Sequence, residues 1–187
     1  MINKLTNLHD WALFIDRDGV INERIPDDYV KQPDEFHFIP GVLDAFATFA
    51  TIFNPVIVVT NQQGIGRGFM TVSQLNAIHD KMLEEVVSHD GRIDAVFFSP
   101  DLKNTRSFTR KPAVGMGLKA RRQFPFINFK KSLMVGDTYS DILFGYRLGM
   151  VTVLIGNDKD VAFKCAGILD YTFPDLISFA GFIKKIS

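Results

Sequence analysis

Two aspartates lie close together directly after the first apolar run of the sequence. The run Trp11–Ile15 is followed at once by Asp16-Arg17-Asp18-Gly19. Two carboxylates this close are costly unless a proton or a cation neutralises them, and a hard cation with oxygen ligands meets that need. Because side chains alternate along an extended chain, Asp16 and Asp18 point to the same side and can serve one site. A solvated Asp-rich turn is the alternative interpretation of this pair alone.

Polar residues also follow the second apolar run. Thr60 and Asn61 end it, and a hydroxyl together with backbone N–H groups at such a turn can hold a phosphate. Gln62 comes next, and Arg67 stands between two glycines, from where its guanidinium could reach an anionic part of a substrate. An ordinary strand-ending turn and a solvent-exposed arginine are the alternatives here.

A basic doublet and a second acidic pair complete the set. Arg110 and Lys111 combine a guanidinium, which binds phosphate with two hydrogen bonds, with a compact ammonium. A surface doublet would look the same. Asp137 and Asp141 lie four residues apart after a later apolar run, about one helical turn, and capping of a helix by Asp137 is the structural alternative. All these groups follow apolar runs in chain order, which favours one shared site.

The elements that must position these residues alternate between strands and helices. Five short apolar runs fit strands of a parallel sheet that is buried on both faces. They are Trp11–Ile15, Val56–Val59, Ala95–Phe98, Ser132–Val135 and Val151–Ile155. Helices are predicted over residues 41–53, 71–88 and 139–148 and from Pro174 onward, with Thr71 and Gln74 as a capping box. The pattern predicts an α/β, Rossmann-like, doubly wound parallel sheet, which binds ligands at the carboxyl ends of its strands.

Size and composition indicate one domain over residues 1–187, with 47% hydrophobic and 22% charged residues. Lys+Arg and Asp+Glu both number 21, so no overall field favours nucleic acid or an anionic membrane. Residues 1–10 are polar and lack a signal-peptide core, and no apolar run is long enough to cross a membrane. The single cysteine, Cys165, cannot form an intrachain disulfide. We expect a cytoplasmic protein that acts as a monomer.

Together the motifs resemble those of the haloacid dehalogenase (HAD) superfamily of phosphatases. The residues that carry this resemblance are Asp16-Arg17-Asp18-Gly19-Val20, Thr60-Asn61, Lys111-Pro112 and Gly136-Asp137 with Asp141. Residues 16–22, 38–42, 59–68 and 110–112 are similar to the subgroup that acts on heptose 1,7-bisphosphate and on histidinol phosphate. The resemblance implies an HAD-like fold without a large cap domain.

The resemblance also implies a role for each motif. Asp16 would attack phosphorus and form an aspartyl-phosphate, and Asp18 would act as the general acid and then the general base. Mg²⁺ would be held by Asp16, by the main-chain carbonyl of Asp18 and by Asp137. The phosphoryl oxygens would be held by Thr60, Asn61 and Lys111, with Asp141 in support behind the metal or the lysine. Substrate contacts are expected from Gln62, Arg67 and Arg110.

The function implied is a Mg²⁺-dependent phosphatase for a small phosphorylated metabolite, preferably a heptose 1,7-bisphosphate that loses its 7-phosphate. The alternatives are a histidinol-phosphate phosphatase or another small-molecule phosphomonoesterase and, outside the enzymes, a non-catalytic binding module with the same fold. Mg²⁺-dependent release of phosphate from an aryl phosphate distinguishes the enzymes from the module.

One loop departs from the subgroup. Its members usually carry Cys and His ligands for a structural Zn²⁺ where this sequence has Ser99-Pro100-Asp101 and Ser107-Phe108-Thr109. Because such a site needs thiolate or imidazole ligands, no structural Zn²⁺ is expected. Packing and hydrogen bonds must then order the loop, with Phe108 as a candidate anchor.

Overall fold

The computed structural model describes Leu5 and residues 7–187, in which six parallel strands form one sheet. The strands are β1 Ala12–Ile15, β2 Val56–Asn61, β3 Ala95–Ser99, β4 Ser132–Gly136, β5 Val151–Ile155 and β6 Tyr171–Phe173. Their order across the sheet is β3-β2-β1-β4-β5-β6. The first five strands coincide with the five predicted runs to within two residues, whereas β6 was not predicted.

Seven α-helices and three short 3₁₀ turns are found in the described residues. The helices are α1 Val42–Ile52, α2 Gln63–Gly66, α3 Val72–Ser88, α4 Gly115–Gln123, α5 Tyr139–Leu148, α6 Lys159–Cys165 and α7 Leu176–Ile186, and the 3₁₀ turns are Leu8–Asp10, Pro33–Glu35 and Phe129–Lys131. The predicted capping box is confirmed, since Thr71 N–H donates to Gln74 Oε1 (2.8 Å) and Gln74 N–H donates to Thr71 Oγ1 (3.2 Å). The last helix begins two residues later than predicted, with Asp175 rather than Pro174 at its start.

Helices cover both faces of the sheet. On one face α1, α3 and α7 form a continuous core, in which the rings of Phe49 and Phe179 are 5.6 Å apart and pack with Leu13 of β1. On the other face α4 and α5 pack against alternate residues of the same strands, as Phe144 does with Phe14. Neighbouring strand residues therefore enter different cores, which explains the uninterrupted apolar runs. The predicted doubly wound α/β fold is confirmed.

The strand order reverses between β1 and β4. The chain runs from β1 outward to β2 and β3, then returns to place β4 on the other side of β1. Ile15 pairs with Val135, and the N–H of Asp16 donates to the Val135 carbonyl at 2.9 Å. Open parallel sheets bind ligands at such a reversal. The ends of β1 and β4, which carry the two acidic pairs, thus meet at the edge where a ligand is expected.

Two irregular segments extend beyond this edge of the sheet. Residues 16–41 follow β1 and residues 100–114 follow β3, and neither segment contains an α-helix or a strand of the sheet. No folded cap is therefore inserted there, in agreement with the prediction. None of the helices described is long and apolar enough to span a membrane. Residues 1–4 and 6 of the polar N-terminal stretch lie outside the described residues.

Candidate active site

A buried lysine joins acidic residues from two strand ends. The carboxylates of Asp16, Asp137 and Asp141 each place an oxygen within 4.8 Å of the others. Lys111 Nζ lies 2.7 Å from Asp16 Oδ1 and 2.6 Å from Asp141 Oδ1. It also donates to the Val59 carbonyl at 2.7 Å. Lys111 therefore has three oxygen partners in the interior, which offset the cost of burying its charge.

The start of α5 fixes Asp141. The N–H of Thr138 donates to Asp141 Oδ2 at 3.0 Å, and the Thr138 hydroxyl donates to the same oxygen. A Cβ on Gly136 would lie 2.2 Å from the Cβ of Asp141, so only glycine permits this approach. Thr138, not Asp137, is the residue that precedes the helix. The alternative that Asp137 caps α5 is therefore wrong, and its carboxylate faces the acidic cluster.

Arg24 is a contributor to the site that was not predicted. Its Nε donates to the main-chain carbonyl of Asp18 (2.9 Å) and its Nη2 to Asp137 Oδ1 (2.8 Å). Gly19 lies between them with φ +90°, and a Cβ there would lie 2.5 Å from Arg24 Nε and 2.2 Å from Asp137 Oδ2. The guanidinium thus bridges two oxygen groups that the family resemblance assigns to Mg²⁺. Arg24 lies in an irregular stretch, where no periodicity indicated its neighbours.

The charges of this cluster do not cancel. Burial, followed by the charge of Asp141, raises the pKa of Asp16 to about 6 against the opposing effect of Lys111. Burial and the charge of Asp16 raise the pKa of Asp137 to about 7, against the effect of Arg24. When all three carboxylates are ionised, their two cationic partners leave one negative charge. Such an excess of hard oxygen ligands fits a divalent cation such as Mg²⁺.

The side chain of Asp18 is held by hydrogen bonds. Its Oδ1 accepts from Arg17 Nη2 (2.7 Å) and Asn22 Nδ2 (3.1 Å), and its Oδ2 accepts from Gln62 Nε2 (2.7 Å). Burial would raise the pKa of Asp18, but the Arg17 charge and the hydrogen bonds outweigh it and lower the pKa. The carboxylate is therefore ionised, and it shares the cavity wall with Asp16.

The last residues of β2 and Gln62, which follows them, connect the two halves of the site. Gln62 Nε2 donates to Thr60 Oγ1 (2.8 Å) as well as to Asp18, so both amide hydrogens are used within the protein. Asn61 makes two bonds with the main chain of Lys111, accepting from its N–H (2.9 Å) and donating to its carbonyl (3.2 Å). The predicted residues at the end of β2 thus meet Asp18 and Lys111, and the substrate contact predicted for Gln62 stays a prediction.

A second contributor that was not predicted is the buried pair of Arg17 and His79. Arg17 is 1% exposed, and its Nη1 lies 3.2 Å from His79 Nε2. Because a guanidinium only donates, His79 accepts through Nε2, which assigns the neutral tautomer by inference. Burial and the charge of Arg17 lower the pKa of His79 to about 3. His79 lies four residues after Leu75 on the apolar stripe of α3, a position from which its burial could have been predicted.

A cavity of about 490 Å³ opens above these groups. Its outer wall includes Tyr29, Arg67 and Arg110. Arg110 donates to the carbonyl of Asp101 at 3.0 Å, and in the described part of the chain neither Arg67 nor Arg110 forms an ion pair with a carboxylate. Burial lowers the pKa of Arg110 against the opposing effects of Tyr29 and of the charge of Asp101, and the charge of Arg67 adds to the lowering. The cavity is thus lined by several carboxylates, including Asp16 and Asp18, and by two guanidiniums that form no ion pair within the described residues, which suits a ligand with an anionic group near them.

The loop before Arg110 is connected by hydrogen bonds, as expected, but not through Phe108. Phe108 is 62% exposed, so the prediction that its ring anchors the loop is wrong. Hydrogen bonds around Asp101 connect the loop instead, through Ser99, Ser107 and Thr109. The expected absence of Zn²⁺ stays a prediction, which metal analysis tests.

Comparison with known proteins places these features in a family. A family model described as HAD-hydrolase-like matches residues 108–172. The D-glycero-alpha-D-manno-heptose-1,7-bisphosphate 7-phosphatase of Mycobacterium bovis is 31% identical over 92% of this chain and 90% of its own length. The corresponding beta-heptose enzyme of Haemophilus influenzae is 30% identical over 94% of this chain and 97% of its own length.

A solved structure agrees with these relatives. The D,D-heptose 1,7-bisphosphate phosphatase of B. bronchiseptica, complexed with magnesium and phosphate, superposes with a TM-score of 0.85 at 31% identity. The match covers 94% of this chain and 99% of that one. Relatives this similar over nearly their whole length share a family with this protein. The chain belongs to the heptose-1,7-bisphosphate 7-phosphatase family of the HAD superfamily.

Proposed function

We propose that this protein is a Mg²⁺-dependent phosphatase that removes the 7-phosphate of D-glycero-D-manno-heptose 1,7-bisphosphate. The observation that carries the proposal is one cavity lined both by Asp16 and by two guanidiniums, those of Arg67 and Arg110, that form no ion pair within the described residues. A bisphosphate has an anionic group for each end of such a cavity. The names of the curated relatives support the same substrate.

Asp16 is proposed as the nucleophile. Lys111 contacts its Oδ1 at 2.7 Å, which leaves Oδ2 as the oxygen that attacks phosphorus and forms the aspartyl-phosphate. A Mg²⁺ ion held by Asp16, the Asp18 carbonyl and Asp137 would neutralise charge on the transferring phosphoryl group. Thr60 and Asn61 hold the phosphoryl oxygens in this proposal, and Lys111 exchanges one of its three interior oxygen partners for a phosphoryl oxygen when the substrate binds. Asp141 keeps Lys111 in place through its 2.6 Å contact.

Asp18 is proposed as the general acid and base. Its lowered pKa suits the second half-reaction, in which an ionised carboxylate takes a proton from the water that hydrolyses the aspartyl-phosphate. In the first half-reaction the negative charge of the arriving phosphate raises the pKa of a neighbouring carboxyl and favours the protonated acid. Arg17 and Gln62 hold the carboxylate in reach of both steps.

The two cations at the rim are proposed to bind the 1-phosphate. Neither Arg67 nor Arg110 forms an ion pair with a carboxylate in the described part of the chain, so a phosphate there would form charge-assisted pairs with both. Gln62 contributes indirectly, since its amide is engaged by Asp18 and Thr60. With the 7-phosphate at Asp16 and the 1-phosphate at the two arginines, the sugar can bind in only one direction.

A kinetic comparison tests the substrate. Both anomers of heptose 1,7-bisphosphate, histidinol phosphate and simple sugar phosphates are assayed for phosphate release with Mg²⁺. We expect the highest kcat/KM with a heptose 1,7-bisphosphate, because only the bisphosphate engages both ends of the cavity. A higher kcat/KM with histidinol phosphate would show that the substrate is wrong. Release from no ester by a folded protein would favour the non-catalytic module.

A further inference from the structure

In the loop after β3, one carboxylate oxygen accepts hydrogen bonds from three hydroxyl groups. Asp101 Oδ2 accepts hydrogen bonds from Ser107 Oγ at 2.5 Å, from Thr109 Oγ1 at 2.7 Å and from Ser99 Oγ at 3.2 Å. The hydroxyls of Ser99 and Thr109 are also 3.0 Å apart. We call these four residues the Asp101 cluster. It joins the end of β3 to residues eight to ten positions later in the chain.

The cluster holds Arg110 at both ends of the residue. The hydroxyl of Ser107 accepts the main-chain N–H of Arg110 at 2.8 Å. At the other end, Arg110 Nη1 donates to the main-chain carbonyl of Asp101 at 3.0 Å. An arginine side chain has several rotatable bonds, so fixing both its backbone and its guanidinium removes much of its freedom before a ligand arrives.

Hydrogen bonds alone can hold the cluster together. Three hydroxyl protons point to an acceptor that carries a full negative charge, and such charge-assisted bonds are stronger than neutral ones. Hydrogen bonds from Ser107 and Thr109 accordingly lower the pKa of Asp101. The hydroxyl oxygens are neutral, hard ligands and lie at hydrogen-bond distance from one another. Structural Zn²⁺ sites need thiolate or imidazole ligands, so these hydroxyls do not suit Zn²⁺.

We propose that Asp101 is a positioning residue, which aims the Arg110 guanidinium into the cavity and thereby sets the preference for a substrate with a second phosphate. The inference rests on the proposed function, since it assigns the second phosphate to the rim of that cavity. Asp101 itself does not line the cavity, so its effect passes through Arg110.

The effect should fall on binding of the distal group more than on chemistry. Lys111 follows Arg110 directly, but its position depends on other contacts. Asn61 binds both its N–H and its carbonyl, and its ammonium is fixed by Asp16 and Asp141. Loss of the Asp101 cluster therefore releases Arg110 while the lysine keeps its own supports.

Two variants of Asp101 test the proposal against two substrates that differ only in the distal phosphate. KM and kcat are measured with heptose 1,7-bisphosphate and with heptose 7-phosphate. For Asp101→Ala we expect KM for the bisphosphate to rise about tenfold, the cost of one misplaced charged contact, and KM for the monophosphate to change less than about twofold. Asp101→Asn keeps one acceptor oxygen and should give a smaller rise. An equal rise for both substrates, or a fall in kcat alone, would overturn the proposal.

Asp94→Asn is the matched control for general destabilisation. Asp94 stands just before the other end of β3, where its Oδ2 accepts from Val56 N–H (2.7 Å) and Arg92 Nε (3.1 Å). It lies outside the cavity lining. Its substitution should lower stability and leave the ratio of the two KM values unchanged. A shift in that ratio as large as for Asp101→Ala would also overturn the proposal.

Hydrogen exchange and metal analysis separate this inference from the proposed function. If the wild-type protein does not prefer the bisphosphate, the proposed function fails, while exchange still tests the cluster. The N–H groups of Thr109 and Arg110 both donate to the Ser107 hydroxyl. They should exchange faster in Asp101→Ala than in the wild type. Unchanged exchange would contradict the role of the cluster, and near-stoichiometric zinc in the purified protein would contradict its independence from metal.

Discussion

Replacement of Arg24 by glutamine should tighten the binding of Mg²⁺. The guanidinium donates to the Asp18 carbonyl (2.9 Å) and to Asp137 (2.8 Å), so a cation that uses these oxygens must displace it. The Arg24 side chain is 50% exposed and that of Asp137 is 19% exposed, which places the pair among screened ion pairs worth about 1 kcal/mol. Removing this competition corresponds to a decrease of about fivefold in the Kd for Mg²⁺.

Calorimetric titration of Mg²⁺ into the protein without substrate measures this Kd directly. Arg67→Gln is the matched control, since Arg67 lines the same cavity but makes no contact with the two oxygens. We expect the control to bind Mg²⁺ within about twofold of the wild type, because the metal does not have to displace its guanidinium from these oxygens. Unchanged or weaker binding by Arg24→Gln would refute the competition between the guanidinium and the metal.

Two further predictions concern stability. His79 has its pKa lowered to about 3, so between that pH and about 6.5 only the unfolded chain takes up the proton, and stability falls as the pH falls. Urea unfolding should show the wild type losing up to about 1.4 kcal/mol per pH unit more than His79→Gln, and equal pH slopes would contradict this. Gly136→Ala should displace Asp141 and lower both the melting temperature and kcat, because the added Cβ would lie 2.2 Å from the Asp141 Cβ. Gly167→Ala, with open space around the Cβ, is its control, and equal effects of the two changes would contradict the prediction.

The sheet and its reactive edge were predictable because they depend on local patterns. The apolar runs that became β1 and β4 are short and uninterrupted, as strands covered on both faces must be. Helix α3 has both a capping box and a regular apolar stripe. Once the strands are parallel, Asp16 and Asp137 must emerge at the same edge, so the acidic pairs could be expected to meet.

The features that were not predicted depend on contacts between segments that are far apart in the sequence or on patterns too weak to recognise. β6 has only three residues and no fully buried one, so it lacks an apolar run. Helix α4 contains two glycines and a low share of apolar residues, which hides its periodicity. Arg24 and the Asp101 cluster take their roles from partners in other segments, and serine and threonine are common in any loop. Phe108 was predicted as an anchor, yet it is exposed and polar side chains connect the loop.

Phosphate release by Asp16→Asn tests the proposed mechanism most directly. The variant and the wild type are assayed with heptose 1,7-bisphosphate and Mg²⁺, and circular dichroism verifies that both are folded. We predict that turnover by the variant falls at least about a thousandfold, because an amide cannot form the aspartyl-phosphate. A folded Asp16→Asn protein that retains wild-type turnover would contradict Asp16 as the nucleophile and, with it, the proposed mechanism.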